Sequence, residues 1–135
     1  MSARLVFFVI MCGLFPATIS AQKPTPDVND GRALERECTT ALRAADDDDP
    51  VTEENPVARG SDMGQCLGLV SGVWHTHMMM VDEFDSRSAF CPTASVSAGE
   101  MARVVNRYLQ THPAELDQWD TVLILRAFMA AYPCS

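Results

Sequence analysis

From Phe90 to Cys134 the chain reads FCPTASVSAGEMARVVNRYLQTHPAELDQWDTVLILRAFMAAYPC, two helical patterns joined at a proline and bracketed by cysteines. Ser97 to Glu100, SAGE, is a capping box: the serine side chain bonds the N3 amide and the glutamate returns to the serine amide. Val96 and Met101 take the staple positions around it, and Met101, Val104, Val105, Tyr108 and Leu109 continue one apolar face. Pro113 stops this helix, because proline disfavours helical geometry in the preceding residue and brings no amide. It also suits the first turn of the next helix, PAELDQWDTVLILRAFMAAY. That helix carries Leu116, Trp119, Leu123, Ala127 and Ala130 on one face and Val122, Leu125, Met129 and Tyr132 on another. A helix apolar on two sides is either deeply buried or half of a subunit interface.

So short a turn makes the two helices antiparallel, which brings Cys91, at the start of one, beside Cys134, at the end of the other. Of the five cysteines, Cys12 lies in the opening MSARLVFFVIMCGLFPATISAQ. That opening has a basic residue, Arg4, an apolar run from Leu5 to Phe15, and small residues at Ser20 and Ala21, the pattern of a cleaved secretory signal peptide over residues 1–21. Cys38, Cys66, Cys91 and Cys134 remain, an even set in a small exported chain, so two disulfides are expected in an oxidising compartment. Four cysteines allow three pairings. The antiparallel hairpin selects Cys91 with Cys134, leaving Cys38 for Cys66.

The formal charge is −8, and loss of Arg4 with the signal makes it −9. Such a balance disfavours nucleic acid and anionic lipid surfaces as partners. No segment after the signal is long and apolar enough to span a membrane, so the mature chain is expected to be soluble.

Residues 22–29, polar and holding two prolines, read as a flexible linker before a single domain over 30–135. From an N-cap at Asn29 or Asp30, Leu34, Cys38, Ala41 and Leu42 define a short amphipathic helix. The stretch ADDDDPVTEENPVARGSDMG then reads as a long acidic loop, with Pro50 and Pro56 breaking any helix and Gly60 marking a turn. Asp46, Asp47, Asp48 and Asp49 are consecutive, whereas a calcium loop spaces its ligands at alternate positions around a glycine.

A second helix starts near Ser61 or Asp62. Cys66, Leu69, Val70, Val73, Trp74, His77, Met80, Val81 and Phe84 share its apolar side, while Gly64, Gly68, Gly72 and Thr76 form a stripe of small residues along another. Its segment WHTHMMM holds soft copper-type ligands. On a helix, however, His75 and His77 point about 200° apart, so no metal site is expected; His75, Met78 and Met79 make up the weaker copper-binding alternative. The chain shows no nucleophile elbow, no phosphate-cradling glycine loop and no specified pair of catalytic acids. The reading is a non-enzymatic, all-α protein of about four helices stapled by two disulfides, without a cofactor.

CLGLVSGV at Cys66 to Val73, the Phe90–Leu116 segment with its FCP, VVNRYL and HP elements, and the closing AFMAAYPC together resemble the Tai/Rap family of immunity proteins. The resemblance covers nearly the whole domain. It implies a periplasmic helical protein, often a homodimer, that binds a type VI secretion amidase effector and occludes the cleft that cuts cell-wall peptide. Leu69 stands where relatives commonly carry an aromatic, Asp120 replaces an expected small residue, and WHTHMMM is not a family feature. Asp82, Glu83, Phe84 and Asp85 form the preferred contact segment, because an exposed aromatic flanked by charge can anchor in a cleft. Asp46–Asp49 are the second choice. A small acidic helical domain of this build would also suit an acid-stress chaperone of the HdeA type.

Overall fold

The computed structural model describes residues 29–46 and 56–135. The signal segment with Cys12, residues 22–28 of the linker, and Asp47, Asp48, Asp49 and Pro50 lie outside the described residues. Four α-helices, α1 (Gly31–Ala45), α2 (Pro56–Phe84), α3 (Ala98–Thr111) and α4 (Asp120–Ala131), make an all-α fold with no strand among the described residues. Both disulfides join the pairs expected from the hairpin: Cys38–Cys66 ties α1 to α2, and Cys91–Cys134 ties the start of α3 to the end of α4. A backbone bond from the Cys91 amide to the Tyr132 carbonyl, 2.8 Å, reinforces the second junction.

The capping box forms as the sequence dictates. Ser97 Oγ accepts from the Glu100 amide at 3.3 Å, and Glu100 Oε2 accepts from the Ser97 amide at 2.8 Å. Asp30 caps α1 by accepting from the Ala33 amide at 2.9 Å, and Leu34, Cys38 and Ala41 are buried behind it. At the centre sits an aromatic cluster: Trp74 meets the rings of Phe90, Phe128 and Tyr132 at centroid distances of 5.1, 5.1 and 5.5 Å. Such tilted and edge-on pairs use the ring quadrupoles as well as the apolar area.

Three expectations are corrected. First, α2 starts at Pro56 and not near Ser61, and the acidic loop is correspondingly shorter. A proline in the first helical turn has no amide to satisfy, so Pro56 opens the helix where the sequence reading had it break one. Gly60 is an ordinary helical position.

Second, the expected helix over 113–132 is interrupted. Pro113–Glu115 form one 3₁₀ turn, and α4 begins only at Asp120. The chain just before α1 takes the backbone groups that would have continued the helix: the Gly31 amide donates to the Gln118 carbonyl at 3.1 Å, and the Asp120 amide to the Asn29 carbonyl at 3.0 Å. A β-bridge between Asp30 and Trp119 results, and it turns Trp119 outward to 60% exposure although its spacing places it with the buried residues. Gly31 is required here. A Cβ on it would lie 2.4 Å from Leu123 Cδ1 and 3.0 Å from both Cα and O of Leu116.

Third, the apolar side assigned to α2 is buried only at Cys66, Val70 and Trp74, while Met80 and Phe84 are exposed. With 29 residues, α2 extends roughly 43 Å. It outruns its 15- and 14-residue neighbours, and its last turns project past the core.

Candidate partner-binding surface

The projecting end of α2 is a tight corner. Asp82, Glu83 and Phe84 form the last turn and Asp85 follows with a left-handed φ of 50°. All four are exposed, and Phe84 retains 65% of its accessible area. Beyond the corner the chain runs back along the same helix. The Ser86 amide reaches the Met80 carbonyl at 3.2 Å, Ser88 Oγ lies 3.1 Å from His77 Nε2, and the buried Phe90 packs on both His77 and Trp74.

Two features of this corner run against local stability. A helix C-terminus carries partial negative charge, so Asp82 and Glu83 sit at the unfavourable end, and no basic residue lies in that turn to offset them. An exposed phenylalanine likewise contributes little to folding. Departures from local preference without a compensating contact concentrate where a surface serves recognition.

The second acidic segment is placed differently. Asp46 is the C-cap of α1, and its Oδ1 accepts from Arg103 at 2.5 Å, fastening α1 to α3. Asp47–Asp49 lie outside the described residues.

His77 and Ser88 are spaced like a nucleophile and its base, yet the bonding pattern spends both on the turn. The single hydroxyl hydrogen of Ser88 goes to the Phe90 carbonyl at 2.7 Å. His77 must therefore donate its Nε2 hydrogen to Ser88 Oγ, and its ring lies stacked on Phe90 with centroids 4.0 Å apart. His75 is exposed on another side of α2, and of the alternative copper ligands Met78 is half-buried and Met79 exposed. Among the described residues no three His, Cys, Asp or Glu side chains converge on a point where a metal ion could sit.

Between α2 and α4 runs an apolar groove of about 640 Å³, floored by Gly68, Gly72 and Thr76 and walled by Leu69, Val73, Val122 and Leu125. It joins the small-residue stripe of α2 to the second apolar side of α4. Neither helix alone reveals that the two features face each other.

Titratable groups elsewhere are structural. Burial holds the Glu37 carboxyl above the usual carboxylate range; Arg36 opposes this, while Asp62 and Asp120 add to it. Hydrogen bonding from Arg126, supported by the Tyr108 hydroxyl, holds Glu115 below that range, and these contacts brace the turn between α3 and α4. Asp120 is buried and its Oδ1 accepts from the Thr121 amide at 2.5 Å, so the carboxylate sits at the favourable end of α4.

The family model of the Rap1a immunity proteins matches residues 30–134. This chain belongs to that family. The match begins at the N-cap of α1 and ends at the cysteine that closes α4, so it takes in all four helices and both disulfides. No curated protein and no solved structure matches the chain. Membership in an immunity family suggests a protein that acts by binding a secreted effector, without catalysis of its own.

Proposed function

We propose that the mature chain is a periplasmic immunity protein that binds a type VI secretion peptidoglycan amidase and blocks its cleft. The family match over residues 30–134 carries this reading. It is supported by the signal-like opening, by two disulfides that suit an oxidising compartment, and by an acidic balance that favours a protein partner. The corner Asp82–Asp85 is the proposed contact, with Phe84 as its anchor. Its ring is presented on a projecting helix end and carries carboxylates on both sides, which suits a cleft with an apolar slot and a basic rim. A homodimer forms part of the same proposal.

The activity of an amidase effector encoded beside this protein's gene, measured against increasing amounts of this protein, is the decisive assay. Stoichiometric inhibition is expected, and full activity in excess protein refutes the pairing. Phe84→Ala should weaken binding by about 2 kcal/mol or more, at least about thirtyfold in Kd, if the ring is an anchor. Sedimentation of the mature chain tests the dimer, and a monomer at micromolar concentration counts against it.

A further inference from the structure

We propose that His77 and Ser88 are positioning residues that hold the Phe84 corner in a single presented conformation. The inference rests on the contact reading of Asp82–Asp85 for its biological meaning, and on geometry alone for its physical content.

Three pins hold the returning chain, each one further back along α2. Ser86 is bonded to Met80, Ser88 to His77, and Phe90 is packed on His77 and Trp74. The first is a backbone bond and the last is core packing, so only the middle pin is made by two replaceable polar side chains. It is also a relay with one direction: His77 Nε2–H donates to Ser88 Oγ, whose hydroxyl donates to the Phe90 carbonyl. Hydrogen bonds in series polarise one another, and this pair closes over a half-buried site where water competes poorly.

The relay also explains why a histidine occupies this place on α2. Its ring supplies a flat apolar face for Phe90 and a donor at the far edge for Ser88, and no aliphatic side chain offers both. Without it the segment from Asp85 to Ala89 would lose its side-chain hydrogen bond to α2 and keep the Ser86 backbone bond and the packing of Ala89 and Phe90 on the core. An aromatic anchor that must be ordered on binding loses affinity to that ordering, and one held in place beforehand does not.

The test uses the mature, oxidised protein and chymotrypsin, which cleaves after Phe84 only when the corner opens. The parent should resist. His77→Ala and Ser88→Ala should be cut there about ten times faster, the effect of losing one to two hydrogen bonds from a local opening equilibrium. His77→Gln, which keeps an N–H near the Nε2 position, should recover most of the protection. Val105→Ala supplies the control for general destabilisation. It removes buried volume from α3, far along the chain from the corner, and should leave cleavage after Phe84 at the parent rate well below its own melting point.

Equal cleavage of parent and His77→Ala at Phe84 overturns the proposal, as does equal acceleration by Val105→Ala. With an inhibited amidase in hand, His77→Ala should slow association while Phe84→Ala mainly speeds dissociation. Loss of protection with no effect of Phe84→Ala on binding would leave the latch standing and remove the contact reading.

Discussion

Gly31→Ala tests the close approach on which the interruption of the last helix depends. A Cβ at this position would lie 2.4 Å from Leu123 Cδ1, against an optimum of about 3.5–4.0 Å between carbons. Leu123 is fully buried, so its methyl has little room to retreat, and the Leu116 atoms at 3.0 Å belong to the backbone and cannot rotate away. Relief requires lifting the first turn of α1. That movement stretches the Gly31–Gln118 and Asn29–Asp120 backbone bonds, now 3.1 and 3.0 Å. Overpacking of this kind costs about 1–3 kcal/mol, and weakening two backbone bonds adds about 1 kcal/mol or more. The gain of alanine over glycine in a helix, at most about 1 kcal/mol, works the other way. The expected net loss is about 2–3 kcal/mol, a fall of roughly 8–12 °C in Tm. Gly64→Ala, where an added Cβ meets nothing within 4 Å, should gain up to about 1 kcal/mol instead. Urea unfolding of both variants beside the parent measures the contrast. If Gly31→Ala stays within about 0.5 kcal/mol of the parent, the approach of α1 to the Leu116–Asp120 segment is not as described.

The two disulfides should differ in accessibility: Cys38 and Cys66 are fully buried while Cys91 and Cys134 are exposed. Mild reductant on the folded protein should open Cys91–Cys134 first, as alkylation mapping would show; simultaneous loss of both refutes the ordering. Glu37 gives a pH test. Its carboxyl is raised by burial, so ionising it costs the folded state, a penalty absent below the unfolded value near 4.5 and complete once pH exceeds the folded value. Glu37→Gln should therefore raise Tm at pH 7, with the gain shrinking as pH falls towards 4; a difference independent of pH refutes the assignment.

Much of this domain was legible where the controlling contacts are local. The capping box at Ser97, the N-cap at Asp30 and the apolar spacing of α1 and α3 each depend on residues within one or two turns, and all form as their spacing dictates. The disulfide pairing followed from the antiparallel order of α3 and α4, although residues 112–119 connect them where the sequence reading had a much shorter turn. The candidate site was legible only in part. Phe84 flanked by acids stood out by composition, but the return of Ser86 to Phe90 along α2 has no periodic signal, since it is made by a left-handed residue and three unlike contacts.

By itself, then, the sequence determined an all-α domain held by two disulfides, the ends of its locally capped helices, and a family resemblance carried by FCP, the capped helix and YPC. The tertiary structure decided what depends on distant partners. Trp119 is exposed because Asn29–Gly31, some ninety residues earlier, claims the backbone beside it. His77 serves the turn because Ser88 and Phe90 fold back onto it. A pattern of 3.6 residues per turn records which side of a helix can be buried; whether anything arrives to bury it is settled by the rest of the chain.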